Sequence, residues 1–117
     1  MTELTGIVRL KIHEGKLEEY KRLAREAEEI VRTKDPGTLQ YEVYINSDGT
    51  EVIAIERYRD SQSLIEHSKN MEAISAAILK ICDGAGELLG NPTPELAEMI
   101  KGSPVQLFTT FLSMKDN

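Results

Sequence analysis

The chain opens with alternating apolar and polar residues and then changes to a helical period. Residues 4–12 alternate with a period of two, which predicts a β-strand with one buried face. From Lys16 onward, apolar residues recur every three or four positions, which predicts an amphipathic helix. That helix is expected to end at Asp35-Pro36-Gly37, because proline disfavours a helical residue before it and glycine accepts a positive φ.

A β-hairpin is predicted after this helix. Residues 38–45 and 51–58 form two strand-like segments, and Asn46 to Gly49 between them is typical of a hairpin turn. In the second segment the run Val52 to Ile55 is apolar on both faces. Such a run indicates a central strand that is covered on both sides.

The second half of the chain predicts helices and one more strand. A helix is expected from Asp60 or Ser61 to about Ile81, interrupted near Asn70. Residues 83–103 are read as a helical insertion, an irregular glycine-containing stretch followed by a short helix at 93–100, and residues 104–112 as the last strand. The tail 113–117 is polar and expected to fray.

The order β-α-β-β-α-(α)-β predicts one α+β domain over residues 1–117, a ferredoxin-like split β-α-β fold. We expect a four-stranded antiparallel sheet with its helices on one face, because right-handed crossovers place them on the same side. The other face also carries apolar residues. An open apolar face in a soluble protein needs a partner, so two copies are expected to pair sheet to sheet as a homodimer. The residues of this face are Ile7, Ile53, Ile55, Phe108 and Leu112.

Composition excludes several classes of partner. The formal net charge of −6 disfavours nucleic acid and anionic membrane surfaces, and the lack of tryptophan argues against a base-stacking platform. No apolar segment approaches the roughly 20 residues that span a bilayer. A single cysteine, Cys82, and an N-terminus without a signal-like segment lead us to expect a cytoplasmic protein.

Three segments carry a resemblance to a known family. They are the first strand with its Lys/Glu-rich helix, the segment Pro36 to Glu42 (PGTLQYE), and the segment Ile55 to Ser61 (IERYRDS) with His67 further on. Together they resemble the antibiotic biosynthesis monooxygenase (ABM) family of dimeric α/β barrels, which includes small quinol monooxygenases. The resemblance covers about residues 4–81 and the last strand.

The resemblance implies a dimeric barrel with a pocket between sheet and helices in each subunit. It implies oxidation of a small phenolic or quinol substrate by O₂, with no metal, flavin or other cofactor. One departure concerns Tyr58, which occupies a position that is often tryptophan in the family. Since haem-degrading relatives depend on a tryptophan, haem degradation is disfavoured here.

His67 is the candidate general base, because an imidazole with a reference pKa of about 6.5 can accept a proton at neutral pH. A structural histidine bonded to a strand carbonyl or to Glu56 is the equal alternative. Tyr41, Tyr58, Glu56 and Met71 are the candidate substrate-binding residues, although tyrosines in strands more often belong to a core or an interface.

Other candidates have simpler roles. His13 is expected to be a turn residue, Cys82 a packing residue, and Tyr44 a core or interface residue. The two histidines lie on different elements without ligand-spaced carboxylates, so no metal site is expected.

Two functions remain open at the level of the sequence. One is a cofactor-independent monooxygenase, and the other is a non-catalytic dimer that binds a small hydrophobic ligand or has a stress-related or assembly role. A pocket lined by His67 and a tyrosine would favour the enzyme.

Overall fold

A computed structural model describes residues 2–115. The ends of the predicted domain and of the predicted tail, Met1 and residues 116–117, lie outside the described residues. Within these described residues, nine elements follow one another: β1 (Leu4–Ile12), α1 (Leu17–Lys34), β2 (Thr38–Ile45), β3 (Glu51–Tyr58), α2 (Ser61–Asn70), α3 (Glu72–Leu79), β4 (Cys82–Leu89), α4 (Pro94–Ile100) and β5 (Val105–Phe108).

The strands form one sheet in the order β2-β3-β1-β4-β5. The first four pair antiparallel in the split β-α-β arrangement, which confirms the predicted α+β, ferredoxin-like fold class. The fifth strand is one more than predicted. It pairs parallel to β4, and α4 is the crossover that joins them.

The fourth antiparallel strand is β4, in a segment that the sequence predicted to be irregular. The predicted helical insertion at 83–103 is therefore wrong in its first part, and only the short helix α4 was foreseen. Gly84 and Gly86 lower strand propensity, but they pair with Leu10 and Val8 of β1, so the exposed edge of β1 overrides the local preference.

The other boundaries hold with two changes. The predicted second helix is interrupted at Met71, next to the predicted Asn70, and so forms α2 and α3, and it ends at Leu79, whereas the predicted last strand ends at Phe108 instead of continuing to residue 112. The hairpin turn is present, and the Asn46 side-chain oxygen accepts hydrogen bonds from the N–H groups of Thr50 and Glu51 at 2.9 and 3.0 Å.

The two faces of the sheet differ in burial. In β3 the residues that face the helices, Val52 and Ala54 among them, are buried, whereas Ile53 on the opposite face is 39% exposed. On that opposite face Ile7 and Ile55 are direct partners in the ladder. Phe108 lies at its edge, 47% exposed.

One prediction about this face needs correction. Leu112 lies beyond the end of β5, so it is not part of the sheet, and it is 82% exposed. The described part of this chain does not cover the second face of β3, since Ile53 remains exposed, and its cover by a second copy stays a prediction. Among residues 2–115, no helix is both long and apolar enough to cross a membrane.

Candidate active site

A cavity of about 540 Å³ lies between the helix-facing side of the sheet and the helices. All five side chains predicted to form a site line this one cavity: His67, Tyr41, Tyr58, Glu56 and Met71. The structure therefore brings together residues that the sequence spreads over three elements and a helix junction.

The sheet positions three of these side chains by its alternation. Glu56 and Tyr58 are two residues apart in β3 and so share a face. Tyr41 of β2 is the direct ladder partner of Glu56. The aromatic rings surround His67, with ring centroids 5.1 Å away for Tyr58 and 6.3 Å for Tyr41.

His67 makes its shortest polar contact with Asp35. The Nδ1 atom of His67 lies 2.5 Å from Oδ2 of Asp35, and the side chains are 9% and 1% exposed. A carboxylate oxygen only accepts, so Nδ1 carries the proton and donates it. The other Asp35 oxygen accepts a hydrogen bond from the Asn70 side-chain amide at 2.5 Å. This arrangement leaves Nε2 of His67 as the free acceptor.

Asp35 reaches this position through the turn that ends α1. It is the residue after the helix, and its N–H donates to the Val31 carbonyl at 3.2 Å. Gly37, two residues later, passes so close to α2 that an added Cβ would lie 2.0 Å from the Ser63 hydroxyl oxygen. Only glycine permits this approach, which brings the turn and its carboxylate against the helix that carries His67.

Sequence reasoning missed Asp35 and Asn70 as members of this site. Asp35 was read as part of a helix-ending Asp-Pro-Gly turn, and Asn70 as a helix interruption. Asp35 lies 32 positions before His67, and an aspartate before proline and glycine has the ordinary pattern of a turn. Nothing in that pattern distinguishes a carboxylate that points inward.

Glu56 and Tyr58 form the second polar pair. Tyr58 donates its hydroxyl hydrogen to Oε1 of Glu56. Burial raises the pKa of Glu56, opposed by the Tyr58 hydrogen bond and by the proximity of His67. Burial, followed by the charge of Glu56, also raises the pKa values of Tyr58 and Tyr41, so both phenols stay protonated and neither supplies a tyrosinate base at neutral pH.

His67 and Glu56 approach each other without a direct hydrogen bond. Nε2 of His67 lies 3.6 Å from Oε1 of Glu56, which is longer than a direct hydrogen bond and too short to hold an atom between them. A hydroxyl group or a water molecule placed beside the two atoms can donate to Nε2 and contact the carboxyl group as well. The arrangement is suited to removing a proton from a bound hydroxyl compound.

The remainder of the cavity is mainly apolar and is closed by the segment after β4. Leu96 of α4 is 1% exposed, and it lines the cavity together with Ile100 and Val105. The α4–β5 segment therefore forms one wall of the helix–sheet pocket. The polar groups thus lie in an environment with little access to water.

The remaining sequence candidates lie outside this cavity. His13 is exposed at the strand–helix junction, where its Nε2 lies 3.0 Å from Oδ1 of Asp83. Tyr44 is 56% exposed and bonds to Glu42 at 3.1 Å, so it is not a core residue of this chain. Cys82 is buried in the apolar core, as predicted. Within the described residues, no group of three or more His, Cys, Asp and Glu side chains is arranged to hold a metal ion.

Comparison with known proteins agrees with the fold and with the sequence motifs. Residues 4–78 match the family model described as "Antibiotic biosynthesis monooxygenase". No curated protein matches the chain by sequence.

Several solved structures share the fold. MupZ from Pseudomonas fluorescens is 21% identical, with a TM-score of 0.80 over 99% of this chain and 96% of its own. SnoaB, a cofactor-independent oxygenase from Streptomyces nogalater, is 13% identical, with a TM-score of 0.69 over 99% of this chain and 100% of its own. Rv0793 from Mycobacterium tuberculosis is 22% identical, with a TM-score of 0.69 over 79% of this chain and 96% of its own.

Proposed function

The chain belongs to the antibiotic biosynthesis monooxygenase family, and from this premise we propose that it is a cofactor-independent monooxygenase that oxidises a small quinol or phenolic aromatic with O₂. One observation carries the proposal. A buried Asp35–His67 pair presents a free imidazole nitrogen to the polar end of an otherwise apolar cavity. The shared fold of SnoaB, a cofactor-independent oxygenase, supports it.

The proposed reaction begins with proton removal. The substrate hydroxyl lies on the cavity side of His67 and Glu56 and donates its hydrogen to Nε2 of His67. The imidazolium that forms is stabilised by Asp35, which already accepts the Nδ1 hydrogen. Tyr41 stays protonated and serves as a hydrogen-bond donor to the substrate, whereas Tyr58, whose hydroxyl hydrogen is donated to Glu56, supplies a ring contact.

The deprotonated ring then supplies all the electrons. A hydroquinone gives up four electrons to O₂, one oxygen atom forms a new C–O bond on the ring, and the other leaves as water. The products are a hydroxyquinone and one water molecule, so atoms and electrons balance without an added reductant. The apolar wall excludes bulk water while the electron-rich ring is exposed to O₂.

The alternative function is a non-catalytic dimer that binds a small hydrophobic ligand. A cavity filled by methionine and isoleucine side chains would have supported it. The observed cavity is not filled by side chains, and His67 shares its wall with two tyrosines. That combination favours the enzyme.

We further propose that the working unit is a homodimer formed through the open sheet face, on which Ile7, Ile53 and Ile55 lie together. A cytoplasmic location remains our prediction for the protein. It rests on the single cysteine, which has no second cysteine for an intrachain disulfide.

Oxygen consumption tests the proposed activity directly. The protein is incubated with a panel of hydroquinones, aerobically and anaerobically, and O₂ uptake is followed beside the non-enzymatic rate. We expect uptake to fall by roughly 10²- to 10⁴-fold in His67→Gln, because glutamine keeps a donor for Asp35 but cannot act as the base. His13→Gln is the matched control, since His13 is exposed and outside the cavity. If His67→Gln consumes O₂ at close to the wild-type rate, the assignment of His67 as the general base is refuted.

A further inference from the structure

Gly6 occupies a distinctive place on the cavity wall. It lies in the middle of β1, and its ladder partners are Glu56 on one side and Leu88 on the other. Both partners are buried on the helix-facing side. A side chain at residue 6 would therefore project into the cavity beside the Glu56–Tyr58 pair.

The backbone does not require glycine at this position. A Cβ atom built on Gly6 would come no closer than 3.7 Å to any atom, at Cε2 of Tyr58, which is ordinary van der Waals contact. Gly6 is also not among the glycines with positive φ. Gly86, another glycine of the cavity wall, is different, because its Cβ would lie 2.7 Å from the Ile7 carbonyl oxygen.

An unneeded glycine inside a strand weakens the strand without a packing benefit. We propose that Gly6 is a specificity-determining residue: the missing side chain leaves the width that a fused-ring ligand needs beside Glu56 and Tyr58. The choice of diols as ligands rests on the proposed function, whereas the effect of Gly6 on cavity width does not.

The test compares Gly6→Ala and Gly6→Val with the wild type under anaerobic conditions. Binding of N-phenyl-1-naphthylamine, an uncharged fused-ring dye, is followed by its fluorescence, and 1,4-dihydroxynaphthalene and 1,4-dihydroxybenzene are used to displace it. We expect Gly6→Ala to weaken the binding of the dye and of the two-ring diol by roughly 10- to 200-fold, because one extra methyl group that does not fit a pocket usually has an effect of this size. The one-ring diol should change less than about threefold.

Thermal unfolding separates this role from a structural one. Gly6→Ala should keep or raise the unfolding midpoint, because alanine fits the strand and restricts the unfolded chain. A lower midpoint with equal losses for both diols would overturn the inference, and so would fused-ring binding that survives in Gly6→Val. If dye binding is lost in the Gly6 variants but neither diol displaces the dye from the wild type, the result supports the inference and counts against the proposed quinol substrate.

The charge of the cavity wall carries a second, independent inference. Among the described residues, those that line the cavity include no lysine and no arginine. The imidazole of His67 can become cationic, but it lies between the carboxyl groups of Asp35 and Glu56. An anionic ligand group would lose its hydration in the apolar part and would meet a carboxyl group at the polar end.

We infer that the cavity selects uncharged ligands and rejects those that carry a carboxylate or a sulfonate. Two dyes with the same skeleton provide the test. N-phenyl-1-naphthylamine is uncharged, and 8-anilinonaphthalene-1-sulfonate adds one sulfonate. We expect the sulfonate to bind the cavity at least roughly 100-fold more weakly, since juxtaposed like charges cost several kcal/mol and each 1.4 kcal/mol is a factor of ten.

Gly6→Val identifies where each dye binds. If Gly6→Val does not reduce the fluorescence of the sulfonate dye, that dye binds outside the cavity, which agrees with the inference. If the sulfonate dye binds the wild type with an affinity within tenfold of the uncharged dye and loses this binding in Gly6→Val, the inference is overturned. Because neither dye is a quinol, the result is independent of whether the protein turns over a quinol.

Discussion

At the scale of single residues, His67 acts through the partner that fixes its tautomer. Asp35 accepts the Nδ1 hydrogen, and Nε2 is thereby available toward Glu56. His67 is buried, and an alanine there would leave Oδ2 of Asp35 without its imidazole donor, which is why glutamine is the better test variant.

Asp35→Asn tests the tautomer argument. The asparagine amide can donate to Nδ1, which favours the form with hydrogen on Nε2 and removes the free acceptor. We expect quinol turnover to fall by roughly 10²-fold or more, while the fold is retained. Initial rates of O₂ uptake measure the loss, and nitrogen chemical shifts of the imidazole report the tautomer.

Asp83→Asn is the matched control for that variant. Asp83 contacts the exposed His13 at 3.0 Å in the same kind of pair. Turnover should be unchanged there, and a similar loss in both variants would point to a general electrostatic effect instead of a tautomer effect.

Glu56 should make the stability of the protein depend on pH. Because burial raises its pKa, the folded protein keeps a proton on this carboxyl group at pH values where the unfolded chain has released it. The free energy of unfolding therefore decreases as pH rises from about the ordinary value of 4.5 through the raised folded value. This contribution is fully present below the unfolded pKa and is lost above the folded one.

Glu56→Gln removes the titration but keeps an acceptor for Tyr58. We expect the melting temperature of the variant, relative to the wild type, to be higher at pH 7.5 than at pH 4. Glu66→Gln on the exposed side of α2 is the control. Its melting temperature relative to the wild type should change little between pH 4 and pH 7.5. If the melting temperatures of Glu56→Gln and the wild type depend on pH in the same way, burial does not raise the pKa of the Glu56 carboxyl group.

At the scale of elements, α4 and β5 close the cavity that the split β-α-β core leaves open. Leu96 packs with Leu4, Ile65 and Leu88 in a buried cluster. This cluster ties the added β-α-β unit to the first strand. We therefore interpret α4 as a packed wall of the site.

Leu96→Ala tests that interpretation. Removing a fully buried leucine should cost about 2–5 kcal/mol of unfolding free energy and should open the cavity to water. Met99→Ala in the same helix removes a side chain that is 47% exposed, and it should cost less than about 1 kcal/mol. Chemical denaturation of both variants makes the comparison, and equal costs would show that α4 is not anchored through Leu96.

At the scale of the whole molecule, one face of the sheet lines the cavity, and the described residues leave the other face uncovered. The free face combines the isoleucines with charges of both signs, such as Arg9 and Glu87, which lie 3.3 Å apart. Such a surface can pair with a second copy of itself. A stable dimer would be expected to bury roughly 1,200–2,000 Å² or more.

Ile55→Asp should dissociate the proposed dimer. A carboxylate at the centre of a sheet-to-sheet contact would be desolvated without a partner, so we expect a monomer at micromolar concentration with its helix content unchanged. Sedimentation velocity measures the state. Ala73→Asp on an exposed position of α3 adds the same charge away from the sheet and should remain dimeric. A wild-type monomer, or a fully dimeric Ile55→Asp protein, would refute this assignment of the interface.

The local pattern of the sequence determined the first strand, the first helix and the hairpin. Alternation is a property of neighbouring residues, so Glu56 and Tyr58, two apart in one strand, share a face by pattern alone, whereas the pairing of Tyr41 with Glu56 depends on the register between two strands. The helical period placed His67 at the border of the helix face that packs on the sheet.

Only the tertiary structure decided β4 and Asp35. Strand β4 contains glycines that weaken its local signal, and it forms because the edge of β1 offers a ladder of hydrogen bonds. Asp35 resembles any turn aspartate until the close passage of Gly37 over α2 brings it to His67. Both depend on contacts between distant segments, and the free energy of such contacts is not contained in the pattern of adjacent residues.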